Sequence, residues 1–191
     1  FFALGAPTRL RLRQETLSGT LETLGSGEAD LALGVAVESI SVAGVQGRPL
    51  GSIRFLFAVA PHHPLARAPE PLSDELIGRH RAVAVADTVR VGSGQTVGLL
   101  GGQDVFTVPN LEAKLEAQLR GIGAGFLPEC LVRSYADSGR LVTKAVQRSE
   151  RVVHLGYAWR AAGSGVPRKA LQWWLERLEH AATRAALLGV R

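Results

Sequence analysis

The chain has 191 residues, 46% of them hydrophobic and 20% charged, the balance of an ordinary globular protein. That length admits one domain or two small lobes, and the composition excludes a disordered tail, a collagen-like repeat and a coiled coil. The net charge of +5 comes almost wholly from dispersed Arg, with only three Lys, and reads as a solvated basic surface, not a nucleic-acid groove.

No apolar run approaches the ~18 residues of a membrane span. The single cysteine, Cys130, excludes a disulfide framework and suits a reducing compartment. There is no methionine, and the chain starts at Phe1-Phe2-Ala3-Leu4 without a secretory leader, so it is expected to be a fragment of a longer protein.

In chain order, Leu10 and Leu12 alternate with Arg9, Arg11 and Arg13, which predicts a half-exposed strand. Leu17, Leu21 and Leu24 then fall on one helical face, with Thr16 or Ser18 to cap its start and Gly27 at its end. The apolar run from Asp30 to Val37 predicts a strand covered on both faces, so residues 9–37 read as a βαβ unit. A long strand is expected from Ser52 to Ala60, a short helix over 72–77 and a strand over 82–86. Residues 88–103 read as a Gly-rich loop and 105–108 as a strand. Asn110 caps a helix whose apolar face is Leu111, Leu115 and Leu119. A buried strand over 123–127 leads into a helix that Pro128 opens and Gly139 ends, carrying Leu131, Val132 and Tyr135 inward. A second long strand over 152–160 precedes a final helix with Leu171, Trp174, Leu175, Leu178 and Ala182 on one stripe. The repeating βα pattern gives an α/β class with mainly parallel sheets. The middle segment, flanked by two long strands, suggests an inserted lobe on a two-strand hinge.

Catalytic signatures are missing from the sequence. It has no Gly-x-Ser-x-Gly elbow, no His-Glu-x-x-His and no phosphate-binding loop with its Lys. His62-His63 sit between Pro61 and Pro64 and read as a turn, not a metal site. His80, His154 and His180 are isolated. Cys130 reads as a partly buried, inert thiol. Glu112 and Glu116 flank Lys114 on what reads as a solvated helix face, and Asp74-Glu75 as a helix cap. The glycines of Gly121-Ile122-Gly123-Ala124-Gly125 read as permitting close packing. No catalytic residue, metal or cofactor is expected. What the pattern does offer is strand ends and helix starts that could converge on a ligand: Thr16, Leu17 and Ser18; Gly34 and Val35; Val108, Pro109 and Asn110; and the loop containing Val89.

Four segments then resemble one family. Leu24-Gly25-Ser26-Gly27-Glu28-Ala29-Asp30-Leu31-Ala32-Leu33-Gly34 is similar to the L-x-x-G-x-x-D-L-A segment of the effector-binding domain of LysR-type transcriptional regulators. The run from Phe57 through Pro64-Leu65-Ala66 is similar to that family's strand and "HPLA". Lys114 to Pro128, with its Gly-x-Gly, and Ser138-Gly139-Arg140-Leu141-Val142 follow in family order. The resemblance implies a two-lobed α/β fold like type II periplasmic binding proteins, with lobe I over 1–57 and 147–191 and lobe II over 58–146. It further implies a small-molecule effector that alters how an N-terminal helix-turn-helix sits on DNA, in a cytoplasmic homodimer or homotetramer. Onto this sequence it carries the contacts Thr16, Leu17, Ser18, Val59, Val108 and Pro109, with the 88–96 loop. The DNA-binding domain and the sensor's first strand are expected to be absent from this chain, with Phe1 to Pro7 the end of the helix that should follow that strand. The effector is expected to be a carboxylate or an aromatic compound. Two rivals stay open at this point: an extracytoplasmic solute-binding protein of the same fold, and an enzyme on that fold.

Overall fold

The computed structural model describes residues 1–5, 8–161 and 169–189. Its elements in chain order are α1 (Ser18–Gly25), β1 (Leu31–Ala36), β2 (Val45–Val59), α2 (Asp74–Gly78), β3 (Ala82–Val85), β4 (Val105–Val108), α3 (Leu111–Leu119), β5 (Gly125–Pro128), α4 (Glu129–Asp137), β6 (Val142–Lys144), β7 (Arg151–Arg160), α5 (Lys169–Leu178) and α6 (Ala181–Leu187). One sheet runs β1-β7-β2-β5, with β6 also against β2, and a second pairs β3 with β4. The chain divides into two compact units, Phe1–Gly51 with His154–Arg191, and Ser52–Val153. Both crossings fall inside the long strands β2 and β7, six or seven residues from the changes at 57/58 and 146/147 read from the sequence.

The α/β class stands, but the share of parallel pairing is smaller than the sequence suggested. β1 is antiparallel to β7, and β5 and β6 are antiparallel to β2, while β3–β4 is a parallel ladder. The parallel βαβ unit expected over 9–37 does not form. Residues 8–16 join no ladder, and Leu12 is 95% exposed. Alternation gave that segment the look of a strand, but no backbone ladder pairs it with a neighbouring strand. Nor is β1 covered on both faces: Leu33 and Gly34 are exposed, and the register with β7 shifts between Leu33 and Val35, where Gly34 takes a φ of 77°.

In the first unit, Leu21 and Leu24 of α1 pack with Ala32, Val35 and Ala158. Leu17 is left out of this face and is half exposed. Leu50, Tyr157, Trp159 and Leu178 form a second cluster, against which Leu171, Leu175 and Leu188 pack. The expected single C-terminal helix is broken at Glu179-His180 into α5 and α6. Arg184 Nη1 donates to the carbonyls of Leu178 and Glu179 at 2.9 and 2.8 Å, satisfying acceptors that the break leaves over. Phe1 stacks on Trp174 and meets the edge of Trp173.

In the second unit, Phe57, Val59, Leu65, Leu72, Ile77, Ala124 and Phe126 form one cluster. Ala58, Leu127, Val132 and Leu141 form another on the opposite face of β2 and β5, covered by Leu111, Leu115 and Leu119 of α3. Val132 of α4 is fully buried, and Gly139 ends that helix with φ 69° as read from the sequence. Gly123 supports the close-packing reading: a Cβ there would lie 2.6 Å from the Arg81 carbonyl oxygen.

Candidate functional site

Five of the expected contact residues lie in the first unit. The chain enters α1 through Leu17, whose φ of 49° and ψ of −122° are unusual for a residue with a side chain. Leu17 itself occupies the N-cap, and no side chain caps the helix, so the expected capping by Thr16 or Ser18 is replaced by backbone geometry: the Gly19 N–H donates to the Thr16 carbonyl at 3.1 Å. Gly34 is exposed at the β1 bulge, and Val35 is buried in the α1–β1 core. A cavity of about 950 Å3 lies beside them, walled by residues 8–15, parts of α1 and β1, and Leu171 and Trp174 of α5. Arg13, which lines the cavity, donates to Glu28 at 2.6 Å and to Glu15 at 2.7 Å. None of Thr16, Leu17, Ser18, Gly34 or Val35 lines this cavity.

The other five lie in the second unit. Val59 and Val108 are buried in separate clusters, so their side chains serve the core. Pro109 is exposed. Asn110 caps α3 as expected, its Oδ1 accepting from the Ala113 N–H at 2.9 Å. Val89 belongs to the loop after β3, which Asp87 organises by accepting from the N–H groups of Val89 and Gln95.

Sequence reasoning missed the polar side of α3. Lys114, read as solvated between Glu112 and Glu116, is 8% exposed, and Gln118 one turn later is fully buried. Gln118 Nε2 donates to the carbonyls of Ala58 and Gly125, both at 2.9 Å, fastening the end of β2 to the start of β5, while its Oε1 has no partner. The Lys114 ammonium lies against Gly125, where a Cβ would come within 3.3 Å of Nζ. Burial, and then the nearby charge of Arg151, lower its pKa from 10.5 to about 8. Arg151 lies over the rings of Phe55 and Phe126 at 4.9 and 5.8 Å. Among the described residues, no carboxylate pairs with Lys114 or Arg151. A signal did exist in the sequence: Lys114, Ala117 and Gln118 share a stripe with small residues, in a chain that otherwise uses Arg for nearly every cation.

Cys130 is exposed, not partly buried as its place after Pro128 suggested. His63 is buried and caps the turn Pro64–Arg67, its Nδ1 accepting from the Leu65 N–H at 3.2 Å. Burial, with the nearby His80 and His62, lowers its pKa. Ser73, not Asp74-Glu75, caps α2; Asp74 pairs with Arg148 at 2.5 Å and Glu75 with Arg79. No helix among the described residues is long and apolar enough to cross a membrane.

The family model of the LysR substrate binding domain matches residues 6–183. The chain belongs to this family. Over its whole length it is 34% identical to the uncharacterized HTH-type transcriptional regulator YeeY of Escherichia coli K12, covering 60% of that protein. It is 33% identical over 71% of its length to the HTH-type transcriptional activator AllS of Klebsiella pneumoniae, covering 50% of that protein. The chain thus spans little more than half the length of these relatives. Among solved structures, the full-length LysR-type regulator LysG of Corynebacterium glutamicum with bound effector Arg aligns with 99% of the chain and 62% of its own, at a TM-score of 0.64 and 25% identity. ArgP of Mycobacterium tuberculosis gives a TM-score of 0.69 at 18% identity over 97% of the chain and 60% of its own, a likeness of fold. The chain therefore has the two-lobed α/β fold of a LysR substrate binding domain. The relatives' names favour that reading over the solute-binding rival.

Proposed function

We propose that this domain takes up a small molecule, a carboxylate or an aromatic compound, and thereby changes how a helix-turn-helix segment elsewhere in the same protein occupies DNA. The observation that carries this is the family match across residues 6–183. The relatives' names as HTH-type regulators, and the effector Arg bound to the similar LysG, support it. Units Phe1–Gly51 with His154–Arg191 and Ser52–Val153 would be the two regulatory lobes. The contacts would come from Thr16, Leu17, Ser18, Gly34 and Val35 in the first, and Val59, Val89, Val108, Pro109 and Asn110 in the second. The helix N-termini at Ser18 and Leu111 offer backbone N–H groups to a polar acceptor. Binding would be without chemical conversion, in a cytoplasmic homodimer or homotetramer.

The mechanism is differential binding: a ligand that favours one conformation of the regulator shifts DNA occupancy by its difference in affinity, typically about 1–3 kcal/mol. The test joins the domain to its own DNA-binding segment and follows operator binding by fluorescence anisotropy while small molecules are screened. The expected result is a compound that raises the melting temperature of the domain, changes operator affinity roughly 5–150-fold and is recovered unchanged. Consumption of the compound, or operator binding indifferent to every compound that the domain binds, would overturn the proposal.

A further inference from the structure

We propose that Lys114 and Arg151 form an anion-binding site at the start of β5, and that the ligand group it takes is the carboxylate of a small organic acid. The inference rests on the sensing role above and names the chemistry that one unit alone contributes to it.

Four observations carry it. The first is Lys114 itself, a cation 8% exposed and reaching Gly125 from α3, for which no described carboxylate serves as partner. Burying a charge without a counter-charge is costly, so such a group marks a place where an opposite charge completes the structure. The second is Arg151, whose charge is close enough to be felt at Lys114 and which also lacks a carboxylate partner among the described residues. A hollow of about 330 Å3 is lined by Arg151 and in part by Phe55, Phe57 and Phe126; Lys114 is not among its lining residues. The other cations of that hollow are matched: Arg54 by Glu150 at 2.5 Å, Lys144 by Glu70 at 2.7 Å and Arg148 by Asp74 at 2.5 Å. Arg151 is the exception among them.

The third observation is the backbone around the two cations. Gly125 has a φ of 157° and its missing Cβ leaves room for the Lys114 ammonium; Gly98 has a φ of 81° and a Cβ there would lie 2.8 Å from Arg151 Nη1. A side chain at either position would crowd the tip of a cation, most closely at Gly98. The fourth is Gln118 Oε1, a fully buried acceptor without a partner one turn from Lys114. It marks the same stretch of α3 as a second place where the fold leaves a polar group unmatched, with the atom itself fully enclosed. A guanidinium fork beside a compact ammonium matches the planar, two-oxygen shape of a carboxylate. The phenyl rings beside Arg151 suit an apolar body behind it.

The test uses sodium benzoate, sodium succinate, sodium sulfate and uncharged benzamide, each against sodium chloride at matched ionic strength. Thermal shift is measured on the wild type, Lys114→Met, Arg151→Gln and the control Lys169→Met. Lys114→Met keeps the length and apolar stem, so it preserves the fold if Arg151→Gln does not. The expected result is protection by at least one carboxylate, absent with benzamide, kept in Lys169→Met and weakened roughly tenfold or more in Lys114→Met and Arg151→Gln. A second readout uses carbon-13 at lysine Cε, which gives one signal for each of the three lysines. The Lys114 signal should move with the carboxylate, and its titration midpoint should rise. Protection by benzamide equal to that by benzoate, protection by sulfate alone, a Lys114 signal unmoved by either carboxylate, or undiminished protection in Lys114→Met would each overturn the site. A compound that protects the wild type and Lys114→Met alike removes this site while leaving the sensing role intact; that role stands or falls on operator binding.

Discussion

At the scale of single residues, the two buried polar groups of α3 behave oppositely. Lys114 is held at a cost. In the unfolded chain it titrates near 10.5 and in the fold at about 8, so between those pH values the unfolded chain binds more protons and stability rises with pH. Below about pH 8 both states are charged and the cost stays constant, on the order of 3 kcal/mol. Lys114→Met is therefore expected to stabilise the ligand-free domain near pH 7, with a gain that fades towards pH 10; urea denaturation at several pH values checks this, and a pH-independent gain would contradict it. Gln118 is a net support. Gln118→Leu would strand the carbonyls of Ala58 and Gly125 and is expected to cost about 2–6 kcal/mol in the same measurement, since each buried unpaired group costs about 1–3 kcal/mol.

At the scale of elements, the second unit is held by short strands fixed at their ends. Lys144 of β6 donates to the Ala68 carbonyl at 2.9 Å and pairs with Glu70 at 2.7 Å, and the Glu70 carboxylate also accepts from the Ala145 N–H at 2.6 Å. This bonding, Lys144 first, holds the Glu70 carboxyl below the usual carboxylate range. Lys144→Met takes this donor from the Ala68 carbonyl and leaves the Glu70 carboxylate only the Ala145 N–H, and is expected to destabilise by about 1–3 kcal/mol, with increased amide hydrogen exchange over residues 64–72 as the local signature. The turn before β5 is fixed by space. Gly123→Ala would drive a methyl into the Arg81 carbonyl, with an expected loss of about 1–3 kcal/mol on thermal unfolding. The capping and packing of α3 and α4 were legible because they depend on neighbours in sequence: Asn110 on Ala113, Pro128 and Gly139 on the helix between them. The burial of Lys114 was not, because it depends on β5 arriving beside α3.

At the scale of the molecule, β2 and β7 each pass from one unit to the other without a break. A continuous strand cannot melt in one half while its other half keeps its partners at no cost, so the units are expected to unfold together. Trp159, Trp173 and Trp174 all lie in the first unit. Tryptophan fluorescence therefore reports that unit, and far-UV circular dichroism reports both. Coincident transitions, with Lys144→Met moving both equally, are the expected outcome; a fluorescence transition that ignores this second-unit substitution would show separate unfolding.

The amino-acid sequence by itself determined the α/β class, most element positions, the turn at Pro61–Pro64 and the family, because caps, prolines, glycines and apolar periods act over a few residues. Only the tertiary structure decided that residues 8–16 stay out of the sheet, that β1 and β5 run antiparallel to their neighbours, and that Lys114 and Arg151 come together. Those outcomes turn on which strands find partners across long separations in the chain, and on whether a charge left between them meets another of the same sign; neither is written in any local run of residues.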